Sequence, residues 1–236
     1  MFYIIGTSIG NIKDTSYRAV QSLVNCDIIL AEDSRSFSNY YLKIQELFNL
    51  YSVKKQKVIP FHDRNEYEIV SNIFEILSLP RSTRSLQDDI ALVSESGMPT
   101  ISDPGNLLIQ ALVKNNISYT VIPGPTAFTT AAVLSGFKYD SILFIGFLPK
   151  KRSSYVQMFK HLSINISKDI NQIIIFYESP HRINQTISTL KTIIPNAHIA
   201  ICREITKKFE EVIRAKVSQL PSDLKVRGEI TVVIKL

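Results

Sequence analysis

Only two cysteines, Cys26 and Cys202, occur in the 236 residues, and they stand far apart in the chain. That count rules out a disulfide framework, and their spacing fits no zinc site, so a reducing cytosol is the expected home. The opening residues, Met1-Phe2-Tyr3-Ile4-Ile5-Gly6, lack the basic start and the long apolar core of a signal peptide. No apolar run approaches the ~20 residues that a membrane span requires, so a soluble cytoplasmic protein is expected. The histidines His62, His161, His181 and His198 include no i, i+4 pair and no H-E-x-x-H or Cys/His cluster, so no metal site is expected. His161 and His198 read as ordinary surface or satisfied core residues. Absence of G-K-[ST] argues against a phosphate loop. Internal repeats and low-complexity tracts are also missing.

What is present is a chain 45% hydrophobic and 20% charged, enough for one large domain or two modest ones, with a formal charge of +6. Such an excess suits a polyanionic partner without requiring one. In the first part, short apolar runs each lead into a turn and then a stretch of helical periodicity. The runs are residues 2–5, 28–31, 57–60, 90–93 and 118–122, and the helices are expected from Asp14 or Thr15, over 38–50, through Ile69 and Ile73, after Asp103, and over 126–134. A polar segment is expected from Pro80 to Asp89. The alternation predicts a mostly parallel five-stranded sheet with helices on both faces. The pattern breaks around Ser135-Gly136-Phe137-Lys138, which places a domain boundary after residue 136. The remainder, 137–236, reads as a mixed sheet with helices, its strands at 141–147, 173–177, 197–202, 211–214 and 229–234.

The turns carry more chemistry than connections need. Val93 to Gly105 packs two glycines, two prolines, three serines and two acids between a buried strand and a helix. Long loops at the carboxyl ends of such strands are where α/β proteins hold ligands. Asp103 is placed to cap the following helix, with Pro104 at its first position. Gly6-Thr7-Ser8-Ile9-Gly10 follows the first strand, and Glu32 or Asp33 stands after the second, as in a nucleotide-binding fold, yet the spacing is not G-x-G-x-x-G. That spacing also argues against an NAD dehydrogenase. Glu178-Ser179-Pro180-His181-Arg182 ends the most apolar strand of the second part, and helix capping alone does not call for Glu, His and Arg together. Lys150-Lys151-Arg152, next to Phe147, reads as a solvated helix start or as a phosphate contact.

Taken together, several segments resemble one family. They are Thr7-Ser8-Ile9-Gly10-Asn11, Ala31-Glu32-Asp33-Ser34-Arg35, Ser94 to Gly105, Pro123-Gly124-Pro125-Thr126-Ala127, Gly146-Phe147-Leu148-Pro149, Phe176 to Arg182 and Arg203 to Lys208. In this order they resemble the ribosomal RNA small subunit methyltransferase I family, a branch of the tetrapyrrole methylase superfamily, from about residue 2 to the end. The resemblance implies S-adenosylmethionine as methyl donor and a cytidine 2′-hydroxyl of 16S rRNA as acceptor. It also implies two α/β domains with the donor cleft between them, and a homodimer. Departures from the family pattern are Ser8 for its usual Pro, Glu95-Ser96 for Asp-Ala, and Arg64 for a frequent His. The chain also stops soon after its last strand, short of an extension many members carry, which bears on RNA affinity.

Motif matching implies donor contacts from Ile9, Ser96, Gly97, Met98, Ile101, Thr126, Ala127, Glu178 and Ile205. For the catalytic base, the candidates are Glu178, His181, Glu32 and Asp33, among which the sequence does not choose. Arg35, Lys150, Lys151, Arg152 and Arg182 are the expected phosphate contacts. The alternatives are a methylase acting on a precorrin-type tetrapyrrole, with the same fold and donor, and a module that holds a nucleotide or RNA without catalysis.

Overall fold

A computed structural model describes residues 1–78, 89–165 and 170–236. The polar segment expected from Pro80 lies outside them, save Asp89. The chain divides into two compact units, Met1–Thr126 and Ala127–Leu236.

The first unit is a fully parallel sheet of β1 (Phe2–Ile5), β2 (Ile28–Ala31), β3 (Lys57–Pro60), β4 (Ile90–Val93) and β5 (Tyr119–Ile122), in the order β3-β2-β4-β1-β5. The central strands are apolar without alternation because both faces are covered. Pro60, which cannot donate to a ladder, ends an edge strand. α1 (Tyr17–Asn25) and α2 (Ser34–Phe48) cover one face, where Leu23, Ile29, Ile44 and Ala91 are buried. α3 (Glu66–Ser78) and α4 (Asn106–Lys114) cover the other, over Phe2, Leu30, Leu92 and Leu112. α1 begins after Ser16, whose hydroxyl accepts from the Ala19 N–H at 3.1 Å. Tyr17, its first residue, is exposed, while Ala19, Val20 and Leu23 are buried. The connection from β1 runs to one side of the sheet and that from β4 to the other. The reversal therefore falls between β1 and β4, neighbours whose carboxyl-terminal loops splay apart there.

The second unit holds β6 (Ser141–Phe147), β7 (Gln172–Glu178), β8 (His198–Arg203), β9 (Glu211–Lys216) and β10 (Ile230–Lys235), in the order β6-β7-β10-β8-β9. β6 and β7 are parallel and the other pairs antiparallel, so the sheet is mixed as expected. α6 (Arg152–Asn165) and α7 (Ile183–Ile193) lie on the face where Ile174, Phe176, Ile199 and Val232 are buried. α5 (Ala127–Ser135) packs on the same sheet, against β7, β8 and β10. The division thus falls before this helix rather than after residue 136. The Arg214 guanidinium of β9 holds its end by donating to the carbonyl oxygens of Leu134 and Ser135, cations at a helix C-terminus being favourable. Both cysteines are buried and unpaired. Among the described residues, no helix is long and apolar enough to cross a membrane.

Candidate functional site

Three loops at the carboxyl ends of β1, β4 and β5 are tied together by their own backbone. The Thr7 N–H donates to the Gly97 carbonyl at 2.8 Å, and the Gly97 N–H donates back to the Thr7 hydroxyl at 3.1 Å. Ser94 Oγ also donates to that carbonyl, at 3.1 Å. The Gly124 N–H points at Met98 Sδ, 3.2 Å away. A Cβ on Gly6 would meet Gly124 N at 2.6 Å, so the first and third loops touch backbone to backbone. A Cβ on Gly97 would lie 3.2 Å from Ile9 Cγ2 and 3.3 Å from the Pro125 carbonyl oxygen. Thr100 and Ser102 take left-handed backbone angles of 71° and 68°, which kink the second loop again. The Tyr40 hydroxyl, 2.8 Å from Thr15 Oγ1, also accepts from the Ser8 N–H at 3.4 Å and ties the first loop to α2.

Asp103 does not cap the helix after it. α4 starts at Asn106 behind Gly105, and the cap comes from Glu66, whose Oε1 accepts from the N–H groups of Gly105 and Leu107, each at 3.0 Å. A buried carboxylate at a helix start is favoured by the helix dipole. Asp103 instead stands half-buried near Ser94, Glu32, Glu95 and Asp63. Burial first, and Glu32 second, push its carboxyl up to about 7. Glu32 is raised as well, by burial and then by Glu95 and Asp63. An open depression beside it, with about 310 Å³ of empty space, is lined by Glu32, Asp33, Ser36, Tyr40 and Glu95.

The fold has a counterpart among known proteins. The family of tetrapyrrole (corrin/porphyrin) methylases matches residues 1–221. The chain belongs to the tetrapyrrole methylase family. Within it, the chain is similar to ribosomal RNA small subunit methyltransferase I of Thermotoga maritima, at 36% identity over 234 residues, which cover 98% of this chain and 96% of that protein. The protein of the same name from Hydrogenobaculum sp. is 37% identical over 238 residues, covering 98% and 94%. That of Bacillus subtilis is 32% identical over 238 residues, covering 100% of this chain and 75% of that one. Solved structures share the fold. The methyltransferase CobJ superposes with a TM-score of 0.66 at 15% identity, over 99% of this chain and 92% of that one. Uroporphyrin-III C-methyl transferase from Thermus thermophilus, complexed with S-adenyl homocysteine, gives 0.61 at 13% identity, over 99% and 96%.

In this tetrapyrrole methylase chain, Ile9, Ser96, Gly97 and Met98 come together in the first unit. The Ile101 N–H donates to the Met98 carbonyl at 3.3 Å. Thr126 and Ala127 are the last residue of one unit and the first of the other, while Glu178 and Ile205 belong to the second. Glu178 is 3% exposed and its oxygens are in use: Oε1 accepts from the Ser179 N–H at 2.8 Å, and Oε2 from the Thr186 hydroxyl at 2.7 Å. Asp33 caps α2, accepting from the N–H groups of Arg35 and Ser36 at 2.8 and 2.7 Å. His181 is exposed.

Among the cations, Arg35, Lys150, Lys151 and Arg152 are exposed. Arg152 Nε donates to Thr189 Oγ1 at 3.2 Å. The Arg182 fork donates to the carbonyls of Leu148 and Pro149 at 3.1 and 2.9 Å, and its Nε lies 3.5 Å from Glu178. Sequence reasoning passed over Thr7 as a site residue, although it stood in a quoted segment. It also passed over Tyr40 and Glu66, which had no local signal.

Proposed function

We propose that this chain is an S-adenosylmethionine-dependent methyltransferase that methylates the 2′-hydroxyl of a cytidine in the 16S rRNA of the small ribosomal subunit, working in the cytoplasm as a homodimer. The observation that carries the reading is the backbone contact of Gly6 with Gly124 beside Gly97 and Met98. It leaves main-chain groups, rather than long side chains, to line the ligand's place where the sheet reverses. In this cradle a Cβ at Gly6 or Gly124 would strike the facing backbone, so the loops keep their close approach and present main-chain groups to a flat adenosyl group and its sulfonium. The near full-length similarity to ribosomal RNA small subunit methyltransferase I supports RNA as the acceptor.

When bound, S-adenosylmethionine supplies an electrophilic methyl on a positively charged sulfur. The chain's own part is alignment, which by itself accounts for several kcal/mol in well-oriented reactions (roughly 7–11). Glu32, with its affinity for protons raised, is our choice to take the proton that the ribose hydroxyl loses. Glu178 and Asp33 hold α7 and α2 in place, and Arg35, Lys150 and Lys151 are left to meet phosphates.

The test is incubation of purified protein, labelled donor and small subunits from a strain lacking this methyl group, followed by nuclease digestion and mass spectrometry. Labelled 2′-O-methylcytidine is expected. Label on a precorrin instead would make the chain a tetrapyrrole methylase, and no binding of S-adenosylhomocysteine at millimolar concentration would leave a non-catalytic module. Sedimentation tests the dimer.

A further inference from the structure

Between two of its paired residues, strand β6 carries one residue more than β7 does. Phe144 pairs with Ile175 and Phe147 with Tyr177, with an irregularity between them. Side chains alternate along a strand, so residues three apart ordinarily face opposite ways. Leu143 and Ile145 pack into the core with α6 and α7, and unbroken alternation would send Phe147 after them. The extra residue resets the alternation at Gly146, whose φ of 66° glycine adopts without steric cost. Phe147 thereby joins Phe144 and Tyr177 on the other face. The rings form a ladder: Phe128 stacks on Phe144 with centroids 4.5 Å apart, Phe144 meets Tyr177 at 5.0 Å, and Tyr177 meets Phe147 at 5.4 Å and 65°.

The ladder ends in solvent, because Phe147 is 60% exposed. An edge-to-face contact covers at most one face of its ring. The next residues are held still: Leu148 is buried, and the carbonyls of Leu148 and Pro149 are gripped by the Arg182 guanidinium. Lys150 and Lys151 then stand exposed. A fixed, outward aromatic ring followed by cations is the arrangement that proteins use to hold single-stranded nucleic acid, bases on rings and phosphates on lysines.

We propose that Phe147 is a stacking platform for an unpaired RNA base, with Lys150 and Lys151 taking the neighbouring phosphates. This rests on the RNA-methyltransferase reading above. The positive charge beside the ring selects a polyanion over an apolar peptide. Single-stranded RNA satisfies ring and lysines together, since its bases are free to leave the stack.

The test uses a short, unstructured, fluorescein-labelled oligoribonucleotide rich in cytidine, with binding followed by anisotropy. Phe147→Leu keeps the apolar bulk but cannot stack, and is expected to bind roughly 5- to 100-fold more weakly. Phe147→Tyr should restore binding, and Lys150→Ala should reduce the salt slope by about 0.7. S-adenosylhomocysteine binding, by calorimetry, should be unchanged in all three. Wild-type affinity in Phe147→Leu overturns the platform while leaving the enzyme reading intact. A loss in Phe147→Leu accompanied by a smaller sedimenting species overturns it too, in favour of a contact between two copies of the chain. Wild-type protein that binds S-adenosylhomocysteine but not the oligomer overturns the platform, while the RNA reading stands or falls on label transfer to small subunits.

Discussion

A Cβ added to Gly124 would lie 2.8 Å from the Cα of Gly6. Neither backbone can yield without moving the strand before it, since the Gly6 N–H is bonded to the Ile122 carbonyl at 3.0 Å. Overpacking of this kind costs about 1–3 kcal/mol. Gly6→Ala and Gly124→Ala are each expected to lower the melting temperature and to weaken S-adenosylhomocysteine binding about tenfold or more. Calorimetry on either variant showing unchanged affinity would remove the cradle from the donor site.

Glu66 reaches α4 from 41 residues away. Glu66→Ala leaves the Gly105 and Leu107 N–H groups without their acceptor, and the expected loss is about 1–3 kcal/mol in urea unfolding. Glu66→Gln keeps an acceptor oxygen without the charge, and should lose less. Equal losses in the two variants would mean that packing, not hydrogen bonding, is what Glu66 contributes.

Asp103 supplies a pH dependence with a definite sign. Its folded value, pushed up to about 7, lies above the ordinary carboxylate range. The group's stabilising effect is therefore full below about pH 4 and is lost as pH rises through about 7. Asp103→Asn abolishes that titration. Its melting temperature should gain on wild type steadily between those two pH values, and a constant gap across the range contradicts the assignment.

Arg182 separates positioning from phosphate contact. Its fork is occupied by the carbonyls of Leu148 and Pro149, a geometry that an ammonium does not reproduce. Arg182→Lys should weaken RNA binding by loosening the loop after Phe147, with the salt slope unaltered. A slope lower by about 0.7 would instead place the guanidinium on a phosphate.

The loops at the carboxyl ends of β1, β4 and β5 were legible in the sequence, because tight backbone approach leaves glycine and proline as its trace. The parallel and mixed sheets were legible from the rhythm of apolar runs. Asp103 misled because a cap is ordinarily local, whereas Glu66 caps from another helix. Glu178 drew notice as a charged residue at a strand end, yet Thr186 and Arg182, which satisfy it, are recognisable only once α7 folds back. The turn of Phe147 toward Tyr177 was hidden for a different reason: a one-residue register change in β6 is a property of a strand pair, and no window on one strand contains it.

β10 lies between β7 and β8. Before it emerges during synthesis, β7 has only β6 beside it and β8 only β9, two fragments each presenting an open edge. The second unit therefore stays divided until its central strand arrives, while the first can close as soon as β5 is made. Nascent chains stalled before residue 230 should carry a folded first sheet and a protease-sensitive remainder, with a need for chaperone cover concentrated in that interval.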